Sequence, residues 1–229
     1  MYHKVSETHK DFLTVTQSQL HDQLQWLKQQ FTPVTLRQVV GHIELGEALP
    51  DKALLITFDD GYENNFTFAY PLFKQMGIPF SIFLIGDCIG QTMMYDGTEQ
   101  SFLSEHQLEF MQDFAQYGYH SKSHNNLMQF EEKDWTKEIA SGMDSLKHLP
   151  VTVEKAWAYT YGSFPKRDKN QFTTLSAIFQ SQGINTAFRI GNRINKLPLE
   201  ESLAIQRIDV RGDESWLKFK FKVKWGKPL

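Results

Sequence analysis

Short apolar runs alternate with amphipathic stretches along most of this chain. ALLITF (53–58) leads into TFAYPLFKQMG (67–77), an apolar-faced helix stopped by Gly77, and then into PFSIFLIG (79–86), a strand rich in Ile and Phe. SEHQLEFMQDF (104–114) opens on a capping Ser and predicts a helix, followed by the strand-like AQYGYHS (115–121). The longest helical pattern, EEKDWTKEIASGMDSLKHL (131–149), precedes the strand AWAYTYG (156–162). NQFTTLSAIFQSQG (170–183) reads as a helix with Gly183 past its end, and NTAFRIG (185–191) and LAIQRIDV (203–210) read as strands. Strands alternating with helices predict a parallel sheet or barrel, in which chemistry collects at the carboxyl ends of the strands. One stretch breaks the pattern. WLKFKFKVKWGK (216–227) alternates Lys with Phe, Val and Trp at period two, which predicts an edge strand whose lysines discourage pairing. A polyanion-binding stripe is its sharper alternative.

No internal repeat, low-complexity tract or Pro/Gly linker divides the chain, so residues 1–229 are expected to form one domain. The opening MYHKV looks like the end of a strand, as if the chain began inside a longer protein and lacked a short N-terminal segment. The composition is ordinary for a globular protein, with 41% hydrophobic residues, 22% charged residues and a net charge of -3. That overall balance makes no case for nucleic acid or an acidic membrane surface as partner. No segment approaches the roughly 18 apolar residues of a membrane span, and no signal-peptide pattern is visible. The single cysteine, Cys88, excludes an internal disulfide and a Cys-based zinc cluster, and reads as a small buried filler.

Three features fall at predicted strand ends: Asp59-Asp60-Gly61, the YHSKSHNN stretch with His120 and His124, and Tyr161-Gly162. Like charges held side by side repel and drive one pKa upward unless a cation sits between them or the two do different jobs. Two histidines at i and i+4 in a helical turn point the same way and can ligate one metal. A carboxylate from a neighbouring loop would complete a facial set with open positions for water and substrate. One Asp then binds the cation and the other stays beside it as a base. Taken singly, Asp-Asp-Gly is commonly a turn and Tyr-Gly a packing position; together at strand ends they point to a site. His9, His21, His42, His106 and His148 read as solvated surface, and Asp87 and Asp96 as loop polar groups.

TFDDGYENN, HSKSH and AYTYG resemble the three main signature stretches of the polysaccharide deacetylases, the NodB-like carbohydrate esterase family 4. YHKV, LPDKALLITFDDGY, MGIPFSIFLIG and IQRIDV extend the resemblance over nearly the whole chain, and the subgroup it most resembles includes deacetylases of poly-N-acetylglucosamine. The resemblance implies an α/β fold, a distorted (β/α) barrel of about seven strands. It implies Asp60, His120 and His124 as ligands of a divalent metal, with zinc the default and Co, Ni and Mn the alternatives. Asp59 matches the catalytic base, and the backbone N–H of Tyr161 matches an oxyanion donor. The implied partner is a carbohydrate polymer or oligosaccharide, with a location at the cell envelope or outside the cell; a cytoplasmic one stays open. Two departures matter. The family's Arg in the third motif is Ala158 here, and Arg207 is the substitute the sequence offers to hold Asp59 ionised. The family's late His is Gln206, and His3 is the alternative proton donor; Thr160 replaces the usual Pro before the motif-three Tyr. Tyr62, Tyr95, Trp157 and Phe164 are expected to line an open substrate groove. Competing readings are a metal-dependent hydrolase of another small amide or O-acetyl ester, and a carbohydrate-binding pseudoenzyme.

Overall fold

The computed structural model describes residues 1–95 and 97–226. Its central sheet has six parallel strands in the order Ile205–Arg207, Thr186–Ile190, Val153–Ala158, Ala115–Tyr119, Phe80–Leu84 and Thr57–Asp60. Phe80–Leu84 is buried at every position, as a continuous apolar run requires when both faces of the sheet are covered. The helices Tyr70–Met76, Glu105–Met111, Glu132–Asp144 and Lys169–Ser181 are the crossovers between successive strands. Two further helices, Gln17–Gln30 and Leu36–Leu45, each begin at a Thr that closes a capping box with a Gln three residues on.

The sheet curls until its two edges nearly meet. Tyr2 fills the remaining gap on one side: its N–H donates to Thr57 O at 2.8 Å, and its carbonyl accepts from Asp59 N at 3.0 Å. Val210 N donates to Met1 O at 2.9 Å on the other side. With this segment counted, the strand number agrees with the expected seven or so. Closure brings Arg207, on the last strand, against Asp59, on the first. The ladder aligns Asp60 with Leu84 and Leu84 with Tyr119, so His120 follows directly at the same rim.

One expectation fails. Residues 216–227 are not an edge strand: Trp216–Trp225 is an α-helix. The Ser215 hydroxyl accepts the Lys218 N–H as an N-cap, and Phe219, Lys222 and Val223 recur at helical spacing on the face turned inward. The period-two alternation hid a 3.6-residue one. The 67–77 helix is composite, a π turn over Asn65–Ala69 continuing into Tyr70–Met76. Asp96 and Lys227 lie outside the described residues.

Candidate metal centre and active site

Asp60 ends its strand with φ +73°, a left-handed conformation that non-glycine residues seldom adopt. Gly61 follows at φ +79°, where a Cβ would come to 2.9 Å of Leu84 Cδ2. The turn therefore needs glycine, and it aims the Asp60 carboxylate across the rim. Oδ1 of Asp60 lies 3.4 Å from His120 Nε2 and 3.3 Å from His124 Nε2. Among the described residues it accepts no well-formed hydrogen bond, although it is fully buried. One ligand atom from each of the three residues lies within 4.8 Å of the other two.

The two histidines do not meet as neighbours on a helical turn, as their spacing predicted. Residues 120–124 form an irregular loop, with Ser121 at φ +67° and His124 at φ +59°, and these two left-handed steps bring the rings to 5.1 Å. His120 is held from behind. Its Nδ1 lies 2.8 Å from Ala158 O, so Nδ1 carries the donated proton and Nε2 faces Asp60. Burial opposes charge on His120, but Asp59 and Asp60 outweigh it and raise its basicity.

Asp59, one residue earlier on the strand, meets Arg207. The guanidinium donates two parallel bonds, Nη1 to Oδ1 at 2.6 Å and Nη2 to Oδ2 at 2.7 Å, with Thr57 Oγ1 at 3.3 Å from Nη1. Burial alone would raise the Asp59 pKa; Arg207, His120 and His3 together hold it below the usual carboxylate range. For Asp60 too, burial pushes upward and is outweighed, here by His120, His3 and His124. His3 lies within the field of both carboxylates, and burial lowers its pKa. Tyr161, at φ +56°, is 63% exposed, and its ring lies 4.6 Å from that of His124. Gly162 follows at φ +65°, where a Cβ would press on Ile190.

The groove aromatics divide. Tyr62 and Trp157 belong to the core: Tyr62 stacks on Phe102 at 5.1 Å, and Trp157 packs on Phe179 at 5.5 Å. Alternation along a strand turned Trp157 inward, and the turn after Gly61 tucks Tyr62 under the 102 segment. Tyr95 and Phe164 are half-buried, with Tyr95 at 5.7 Å from the His124 ring. Cys88 is buried, and its thiol is pushed up to about 12 chiefly by that burial. His9, His21, His42, His106 and His148 are exposed or half-buried. Two features escaped the sequence reading: the Nδ1 brace from Ala158 and the four left-handed non-glycine residues at one rim. Neither leaves a signal in a pattern of residue types.

The family model for polysaccharide deacetylase matches residues 46–177. The chain is similar to the poly-beta-1,6-N-acetyl-D-glucosamine N-deacetylase of Staphylococcus epidermidis, 28% identical over 160 residues that cover 65% of this chain and 54% of that protein. It spans about half the length of the curated relatives it matches. Among solved structures it is similar in fold to IcaB from Ammonifex degensii, with a TM-score of 0.78 and 24% identity over 97% of this chain and 94% of that one. The Streptococcus pyogenes deacetylase PplD in complex with acetate gives a TM-score of 0.77 and 20% identity over 98% and 96% of the two chains.

Proposed function

The chain belongs to the polysaccharide deacetylase family, and from that premise we propose that it is a metal-dependent hydrolase removing N-acetyl groups from an N-acetylated amino-sugar polymer. The observation that carries this reading is the buried Asp60–His120–His124 cluster beside a separately clamped Asp59. The cluster fits a divalent cation: it offers one buried carboxylate oxygen without a hydrogen-bond partner and an imidazole whose Nδ1 is held from behind. Zinc is the default for such a donor set, with Co, Ni and Mn as alternatives. A cation held there lowers the pKa of a water and polarises the acetamide carbonyl.

Asp59 then acts as the base. It stays ionised under Arg207, which also fixes its orientation, and it takes the proton of the water whose oxygen attacks the carbonyl carbon. The backbone N–H of Tyr161 donates to the oxyanion as it develops. The carbon–nitrogen bond breaks, the nitrogen gains a proton, and acetate and a free amine on the sugar are the products. His3 supplies that proton in place of the missing late histidine. The whole chain, 1–229, serves as the catalytic domain, acting on glycan at or outside the cell envelope. The similarity to a poly-N-acetylglucosamine deacetylase favours a β-1,6-linked polymer over a small amide or an O-acetyl ester.

Metal analysis combined with acetate release from N-acetylglucosamine oligomers tests the proposal. One metal per chain with acetate release is expected. Oligomer binding without release of acetate would leave a pseudoenzyme and sink the hydrolase.

A further inference from the structure

The Trp216–Trp225 helix has two faces of opposite character. Its inner face is fixed: Phe219 is buried, Trp216 and Phe219 pack with Trp26 of the Gln17–Gln30 helix at 6.1 and 5.8 Å, and Lys222 reaches inward to Asp209 and Glu214. Its outer face leaves Leu217 75%, Phe221 44% and Trp225 66% exposed. These three recur at i, i+4 and i+8 and so form one apolar stripe along the helix. Lys218 borders the stripe on one side, and Lys220 and Lys224 border it on the other. The segment WLKFKFKVKW contains no Asp or Glu, although the chain as a whole carries a net charge of -3. Glu214, which pairs with Lys218, is itself covered, its side chain 5% exposed and shared with Lys222.

We propose that this face docks on an anionic lipid membrane, with Leu217, Phe221 and Trp225 entering the headgroup boundary and Lys218, Lys220 and Lys224 meeting the lipid phosphates. An apolar stripe flanked by lysines is the arrangement a helix needs to lie in a membrane interface. Other occupants use only part of it. A second copy packed on the same stripe would set these lysines against their own counterparts, which like charge opposes. A soluble polyanion would use the lysines and leave the stripe in water. A deacetylated amino-sugar polymer is cationic and would be repelled. The inference is independent of the catalytic reading. No helix among the described residues is long and apolar enough to cross a membrane.

Cosedimentation of the full chain with vesicles tests the proposal. Binding to mixed phosphatidylglycerol/phosphatidylcholine vesicles and little to phosphatidylcholine alone is expected. The combined Leu217→Ser, Phe221→Ser and Trp225→Ser variant should lose on the order of 10² in partitioning. Replacing Lys218, Lys220 and Lys224 by Gln should cost on the order of 10² as well. Leu217, Phe221 and Trp225 are exposed, whereas Lys218 pairs with Glu214 and Lys220 and Lys224 reach over the Trp26 ring at 5.9 and 5.7 Å, so circular dichroism should match the parent in both variants, with a small drop in melting temperature for the Gln variant. No binding to mixed vesicles, equal binding to both vesicle types, or unchanged binding by the Ser variant overturns the proposal. So does a concentration-dependent dimer that the Ser variant abolishes, which would make the occupant a second copy.

Discussion

Two buried charge clusters lie at either end of the short stretch between the last strand and the last helix, and they are built on opposite plans. At Lys222 the ammonium meets Asp209 Oδ1 at 2.8 Å and both Glu214 oxygens at 2.9 Å, within an ordinary helix. Its donors are used. At the barrel rim, Arg207 and Asp59 satisfy each other bidentately, yet Asp60 Oδ1 and Arg207 Nε are buried without hydrogen-bond partners. Four of the six non-glycine residues with positive φ among the described residues (Asp60, Ser121, His124 and Tyr161) also sit there. Buried charge is common to both. Unmet valence and a strained backbone occur at one, and these are costs that a fold tolerates where chemistry or a ligand repays them. The Lys222 cluster pins a helix; the rim cluster is the one proposed to take a cation and a substrate.

His120→Ala should draw the sharpest line between them. It removes one of the three proposed ligand side chains and should abolish stoichiometric metal and reduce acetate release to background. Full metal content in that variant, read by elemental analysis, would mean that the rim is a second structural cluster. Asp59→Asn comes next. It should keep the metal and lose on the order of 10² to 10⁴ in turnover, the range for a positioned base. Loss of metal along with activity would show that the two adjacent carboxylates have exchanged roles.

Lys222→Met probes the closed cluster. It strips the ammonium from Asp209 and leaves Glu214 with Lys218 alone, so unfolding stability should fall, by at most about 3–5 kcal/mol. Denaturant melts measure that loss. Metal stoichiometry and the shape of the pH–rate profile should stay as in the parent. A shifted profile would break the division between the two clusters.

Much of this contrast was legible in the residue pattern. Alternating runs gave the parallel sheet, and charge logic led from Asp59 to Arg207, because a base beside a second carboxylate needs a cation on its other flank. Period alone misled where two periods coincide. In WLKFKFKVKW, alternation fits a strand, while Phe219, Lys222 and Val223 fit a helix, and only packing against Trp26 decides. HSKSH failed for a related reason. Its spacing suits a helical turn, but the loop reaches a similar pairing of rings through left-handed backbone at Ser121 and His124, which residue types do not announce. The Gln17–Gln30 and Leu36–Leu45 helices had a readable mark, the Thr-x-x-Gln capping pattern, ahead of an apolar face that in the second recurs at Leu36, Val39 and Val40.

Arg207→Met is the finest test, because its effect lies in where activity is lost more than in how much. The wild-type carboxyl of Asp59 is held below its ordinary value by Arg207, with His120 and His3 adding to it against the push of burial. A base works when ionised, so its acidic limb follows that depressed pKa. Without the guanidinium, burial is less opposed and the pKa rises. The acidic limb of the pH–rate profile should therefore move upward, and the variant should regain much of its rate as pH increases. Stability follows the same sign. A carboxylate with a depressed folded pKa stabilises the fold above its unfolded pKa and loses that contribution as pH falls through the folded one. The variant should thus be acid-labile at higher pH than its parent. Arg207→Lys keeps the charge but not the fork, so it should return the limb part of the way while the rate stays below the parent's, since one point charge cannot fix the carboxylate plane. A limb that does not move in Arg207→Met, with the rate merely lower, would assign Arg207 to packing, and the rim pair would then resemble Lys222 more than it differs from it.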